Sequence, residues 1–220
     1  MNVHTQKLTI PGPVGTIEIA IDTPEQAAVG IALVAHPHPL FGGTLDNKVA
    51  QTLARACVQS GFIAVRPNFR GVGKTEGVHD AGNGEVDDLL ATLEAMWSKY
   101  EALRNTPFVL AGFSFGAAVQ ARVAQRLHAA GKQPLQMILV GLGLGRFEVP
   151  NVPTNTLMIH GELDETIPLS HVLDWARPQE LPVILIPGAD HFFHRRLPRI
   201  RELVSNALKF SLLDSTRSPA

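Results

Sequence analysis

The sequence predicts an α/β protein: a mostly parallel, twisted sheet with helices on both faces. Three observations carry that reading. Short apolar runs such as Ile31-Ala32-Leu33-Val34-Ala35, Phe62-Ile63-Ala64-Val65 and Met137-Ile138-Leu139-Val140 are strand-sized and continuous, the pattern of strands buried on both faces. Segments with apolar residues at helical spacing separate them, for example Val86, Leu89, Leu90, Leu93 and Met96. Most strands end in a loop rich in glycine, proline or polar residues, and ligand chemistry in parallel sheets gathers at those carboxyl ends.

In chain order, residues 8–21 alternate weakly around Pro11-Gly12-Pro13 and Gly15 and predict two short strands joined by a turn. A buried strand over 30–35 leads into the loop His36-Pro37-His38-Pro39-Leu40-Phe41-Gly42-Gly43-Thr44, and a helix over 47–59 places Val49, Leu53, Ala56 and Cys57 on one face. The strand 62–65 ends in Arg70-Gly71-Val72-Gly73-Lys74-Thr75-Glu76-Gly77, and a helix covers 84–97. Further strands are expected at 107–111, 137–140, 156–159 and 183–186, with helices after residue 114, over 169–176 and over 200–212. The chain of 220 residues is long enough for one substantial core. The expected organisation is a single domain over 1–213 and a loose tail over 214–220.

Composition narrows the function classes. A hydrophobic fraction of 45%, a charged fraction of 18% and a net charge of −1 describe an ordinary globular protein without the basic face that a nucleic acid or an anionic membrane surface would require. The apolar runs are far shorter than a membrane span, and residues 1–7 lack the apolar core of a signal peptide. A cytoplasmic location is the expectation. The single cysteine, Cys57, cannot form an intramolecular disulfide and reads as a buried free thiol. Oligomeric state is not written in these features.

The most informative stretch is Gly112-Phe113-Ser114-Phe115-Gly116, between the apolar run 107–111 and the helical pattern that opens at Ala117. Gly-x-Ser-x-Gly between a strand and a helix is the nucleophile elbow. Strand and helix pass close together there, so residues flanking the serine must lack bulk. The helix N-terminus beneath the hydroxyl offers backbone N–H groups to a developing negative charge.

A serine hydroxyl needs a base, and the base needs an anion to orient it. In sheets with such an elbow the chain order is serine, then acid, then histidine. Among nine histidines, His191 is the candidate base because it lies just past the last strand, in Pro187-Gly188-Ala189-Asp190-His191. His194 is displaced toward the last helix, and His36 precedes the serine and suits a loop-shaping role. Glu162, Asp164 and Glu165 compete for the acid in His160-Gly161-Glu162-Leu163-Asp164-Glu165-Thr166-Ile167-Pro168, and Asp164 is the choice. Asp190 adjoins His191, but neighbours in an extended loop point apart.

These segments resemble the α/β-hydrolase superfamily over residues 31–210, in size and layout like compact bacterial dienelactone hydrolases and small carboxylesterases. The resemblance implies a three-layer fold without a lid, and cofactor-independent hydrolysis of a small-molecule acyl substrate by Ser114, His191 and Asp164. It also implies an oxyanion hole from the backbone N–H of Phe115 and of one residue in the first loop. That loop usually begins His-Gly; here it begins His36-Pro37. Pro37 and Pro39 carry no N–H, leaving Leu40 as the choice and His38 as the alternative. The short connection between the strands near Val140 and Thr156 leaves no room for an inserted lid, so the site should be open and accept short acyl groups.

Other patterns fall short. Gly73-Lys74-Thr75 lacks the glycine of a phosphate-binding loop at position 68, where Asn68 stands. It resembles instead the superfamily loop Asp-x-Arg-Gly-x-Gly-x-Ser, with Asn68 and Thr75 in the outer places. Gly141-Leu142-Gly143-Leu144-Gly145 has Arg146 where a dinucleotide fingerprint needs glycine. His36 and His38 have no third ligand at metal-binding spacing, so neither a metal nor a cofactor is expected. Phe192-Phe193 can wall an acyl pocket or pack the core.

Overall fold

The computed structural model describes residues 5–145 and 148–215. Among these residues, eight strands form one sheet: β1 (Gln6–Gly12), β2 (Gly15–Asp22), β3 (Gly30–Ala35), β4 (Phe62–Pro67), β5 (Phe108–Phe113), β6 (Gln136–Val140), β7 (Leu157–Gly161) and β8 (Val183–Ile186). Their order across the sheet is β1-β2-β4-β3-β5-β6-β7-β8. β1 and β2 form an antiparallel hairpin that joins β4 antiparallel, and all remaining pairings are parallel.

Among the described residues, five α-helices accompany the sheet: α1 (Lys48–Gln59), α2 (Asn83–Lys99), α3 (Phe115–Ala129), α4 (Leu169–Ala176) and α5 (Leu197–Ser215). Side chains alternate across a strand, so each strand feeds two cores. In β3, Ile31 and Leu33 belong to the core that includes Leu89 and Leu93 of α2 and Val119 and Val123 of α3. Ala32 and Val34 belong to the opposite core, with Leu53 of α1 and Val204 and Leu208 of α5. Strands covered twice explain why the apolar runs are continuous rather than alternating.

Local chemistry sets the helix starts. Asn47 caps α1, its side chain accepting from the N–H of Val49 and Ala50 at 2.9 and 3.2 Å. Glu85 reaches back to the N–H of Gly82 and Asp80 at 2.8 and 3.0 Å, fastening the entry to α2. At its far end α5 continues through Asp214 and Ser215, two residues expected in the tail; residues 216–220 lie outside the described residues. Among the described residues, no helix is long and apolar enough to cross a membrane. The connection 141–156 contains no helix or strand among its described residues.

Register aligns the carboxyl ends. Ala35 pairs with Gly112, Phe113 with Val140, Val140 with Ile159 and Gly161 with Ile186. The loops after β3, β5, β6, β7 and β8 therefore leave the sheet along one edge, and the candidate residues are distributed among them.

Candidate active site

Ser114 is the residue between β5 and α3, with φ 55° and ψ −119°. Non-glycine residues are rarely held in such a conformation, and the surroundings must impose it. Its N–H donates to the Val140 carbonyl at 2.9 Å, and its own carbonyl accepts from Ala117 and Gly143 at 3.0 and 3.1 Å. The flanking glycines are required by space. A Cβ on Gly112 would lie 2.5 Å from the Gly116 carbonyl oxygen, and one on Gly116 would collide with the carbonyls of Ala35 and His36.

His191 and Asp164 converge on this turn. His191 Nε2 lies 3.0 Å from Ser114 Oγ, and His191 Nδ1 lies 2.7 Å from Asp164 Oδ2. Histidine and aspartate are both buried, whereas the serine is partly open. Asp164 Oδ1 accepts from the N–H of Thr166 and Ile167 at 2.9 and 2.8 Å. Those bonds fix the carboxylate in its turn and aim its second oxygen at the imidazole. With Nδ1–H directed to a carboxylate, the Nε2 lone pair faces the hydroxyl, the arrangement in which an imidazole can take that proton.

The competing acids are occupied elsewhere or exposed. Glu162 accepts from the N–H of Gly188 at 2.8 Å, and Glu165 is exposed. Asp190 turns to His194, accepting from its backbone N–H at 3.1 Å and pairing with its ring. That pair holds the Asp190 carboxyl below the usual carboxylate range and keeps His194 out of the Ser114 line. The acid and base loops are stitched together: Glu162 N–H donates to Ile186 and Leu163 N–H to Ala189, at 3.1 and 2.9 Å.

The first loop is fastened by His36. Its Nδ1 lies 2.6 Å from the Pro37 carbonyl, and its Nε2 accepts the Phe69 N–H at 2.9 Å. Burial pushes its pKa down to about 4, so the ring is neutral. Pro39–Phe41 form one turn of 3-10 helix, and the Leu40 N–H donates to His38 Nδ1 at 3.3 Å. The His38 ring packs 4.8 Å from that of Phe115, bringing the loop beside the residue after Ser114.

The remaining motifs resolve into supports. The Asn68 side chain joins the Leu45 N–H to the Glu18 carboxylate, at 2.8 Å in each case. Glu18 also accepts the Lys74 N–H at 3.0 Å, and Thr75 Oγ1 bridges Asn68 and Glu18 backbone groups. The Lys74 N–H of the Gly73-Lys74-Thr75 loop is therefore already taken by a carboxylate of the same chain. Gly141, at φ 53°, leaves room for His191: a Cβ there would lie 3.4 Å from Cε1. Of the 141–145 glycines, Gly141 lies beside the base and Gly143 beneath the serine. Phe193 is fully buried, while Phe192 is half exposed against the His191 ring. Cys57 is enclosed, with its thiol pKa raised to about 12 by burial. Among the described residues, no group of three or more His, Cys, Asp or Glu is placed to hold a metal ion.

Sequence reasoning passed over His160, Gly161 and Phe113. His160 and Gly161 stand inside the motif that supplied Asp164, and Gly161 is where the acid loop passes under the base loop. Phe113 stacks 5.1 Å from the His191 ring, a role that its place inside a strand conceals.

A sheet of this order, with a strained serine between β5 and α3, defines the α/β-hydrolase class. The chain belongs to the α/β-hydrolase superfamily, and its class of chemistry is hydrolysis. It is 35% identical to a lidless α/β serine hydrolase of Xanthomonas campestris, with a TM-score of 0.84 over 95% of each chain. It is 36% identical to an α/β serine hydrolase homologue of Coxiella burnetii, with a TM-score of 0.78 over 91% of this chain and 96% of that one. An uncharacterized protein of Rickettsia prowazekii is 27% identical over 90% of this chain and 86% of its own length. A thioesterase-domain family model matches residues 68–165.

Proposed function

We propose that the protein is a serine hydrolase that cleaves small carboxylic esters through an acyl-enzyme on Ser114, His191 and Asp164, acting on a small-molecule acyl substrate in the cytoplasm. The observation that carries this reading is the unbroken line Ser114 Oγ–His191 Nε2, His191 Nδ1–Asp164 Oδ2, at 3.0 and 2.7 Å.

His191 takes the Ser114 proton as Oγ attacks the acyl carbon, and Asp164 orients and stabilises the imidazolium. The oxyanion is held by the backbone N–H of Phe115 and of a first-loop residue. For the latter we choose Leu40 over His38, since its present partner His38 Nδ1, at 3.3 Å, is a weak competitor for an anion. Each such donor contributes about 3 kcal/mol to transition-state stabilisation. His191 then protonates the departing alcohol. Water, deprotonated by the same imidazole, attacks the acyl carbon, and collapse releases the acid and regenerates the Ser114 hydroxyl.

The thioesterase-domain match favours a second reading, in which the same three residues cleave a thioester. A fluorophosphonate probe tests the shared chemistry. Covalent labelling of Ser114, abolished in Ser114→Ala and weakened in His191→Ala, supports it. A folded protein that takes no label is a binding protein on this fold. Paired oxygen and sulfur esters of one acyl group then separate the two bond types.

A further inference from the structure

The two oxygens of Asp164 do different work: Oδ1 holds its own turn through Thr166 and Ile167, and Oδ2 faces His191. A second imidazole stands behind them. His160, near the end of β7, is 1% exposed, with Nε2 3.0 Å from the Ile167 carbonyl and 3.7 Å from Asp164 Oδ2. Ile167 is thus gripped at both ends, its N–H by the carboxylate and its carbonyl by His160. The carbonyl only accepts, so the His160 proton sits on Nε2, and Nδ1 is left as a buried lone pair with no hydrogen-bond partner among the described residues.

An apolar side chain would fill that space without stranding a polar atom. What the imidazole adds is the Nε2–H. We propose that His160 is a positioning residue for the Ser114–His191–Asp164 line: by clamping the Ile167 carbonyl it fixes the Asp164 turn and keeps Oδ2 on His191. The inference rests on the function proposed above. Burial, the largest influence, keeps the His160 pKa below its ordinary value, so the ring is neutral and the Asp164 charge is left to His191. The charged or titratable groups beside His160 are Asp164 and His191, while Leu185 pairs with it across β8. His191 faces Asp164, Ser114 and His160, with the rings of Phe113 and Phe192 against it, and Asp190 is turned away to His194.

The test compares His160→Leu, which removes the donor, with His160→Gln, whose amide nitrogen reaches the Nε2 position. Kinetics on a p-nitrophenyl acetate series are read against pH. The downfield His191 Nδ1–H proton resonance is read in a Ser114→Ala background, where no turnover is needed. In His160→Leu we expect kcat to fall about 30-fold or more at nearly constant KM, and the acid limb of kcat/KM to move about one pH unit lower. The downfield resonance should shift or broaden. In His160→Gln we expect kcat within about fivefold of the parent. If His160→Leu does not fold, His160→Asn, too short to reach Ile167, takes its place with the same expectations. An unmoved acid limb and resonance in a variant of lower Tm would overturn the proposal, as would a His160→Gln as impaired as His160→Leu. If the parent protein neither turns over esters nor takes fluorophosphonate, the catalytic reading fails, and the resonance alone decides whether His160 tunes the His191–Asp164 bond.

Discussion

A Cβ on Gly161 would sit 2.5 Å from the carbonyl oxygen of Ala189 and 2.8 Å from that of Asp190. The loop carrying Asp164 and the loop carrying His191 meet at this point, and only a residue without a side chain lets them pass. Gly161→Ala must spread the loops by several tenths of an ångström. We predict a loss of about 1–3 kcal/mol in stability, measured by urea denaturation. A fall in kcat/KM larger than the loss of folded protein explains should accompany it, because the imidazole–carboxylate contact opens.

Asp164→Asn separates charge from shape. The asparagine carbonyl can still accept from Thr166 and Ile167, but its NH2 then faces His191 Nδ1 and selects the wrong tautomer. We expect kcat to drop by about 10⁴ with little change in KM. Steady-state kinetics on a short-chain ester, with a thermal melt as a folding control, provide the measurement.

His36 makes stability depend on pH. Its Nε2 accepts the Phe69 N–H only when unprotonated, and burial pushes its pKa down to about 4 from 6.5. The unfolded chain therefore binds the proton first. The stabilisation is complete above pH 6.5, is lost as pH falls from there toward 4, and amounts to about 3 kcal/mol in all. Urea midpoints taken at steps from pH 7 to 4 should fall more steeply in the parent protein than in His36→Gln. Equal slopes would show that this group does not govern the effect.

Acyl-chain length reads the openness of the site. The described part of the 141–156 connection adds no helix over the elbow, and Phe192 stands half exposed beside His191. At an open site a long chain gains little burial on binding. Acetyl and butyryl esters should be hydrolysed with higher kcat/KM than palmitoyl esters, and a strong palmitoyl preference would refute this.

Much of this architecture was legible because the sheet is covered on both faces, so that Ile31-Ala32-Leu33-Val34-Ala35 and its counterparts read as unbroken apolar runs. The elbow was legible because its sterics leave glycine at positions 112 and 116. The three residues selected from loop position are the three that the structure joins in one hydrogen-bonded line. Choosing among Glu162, Asp164 and Glu165 was harder, since any of them suits a polar loop. What singles out Asp164 is a turn whose N–H groups claim one of its oxygens, and such backbone geometry leaves no compositional mark. His160 escaped for a related reason: its partner is the carbonyl of Ile167, a group that every residue possesses. The first loop departs from the usual His-Gly, so its donor is a matter of local backbone direction that residue types do not encode.

The order of the strands has a consequence for biosynthesis. The hydroxyl of residue 114 stands between two central elements, whereas the imidazole that faces it hangs from the loop after β8, at the far edge of the sheet and later in the chain. A chain emerging from the ribosome carries an ordinary alcohol at that position until the loop bearing residue 191 has folded onto it. Any reactivity the hydroxyl gains from its neighbours belongs to the finished molecule and is withheld from the nascent one.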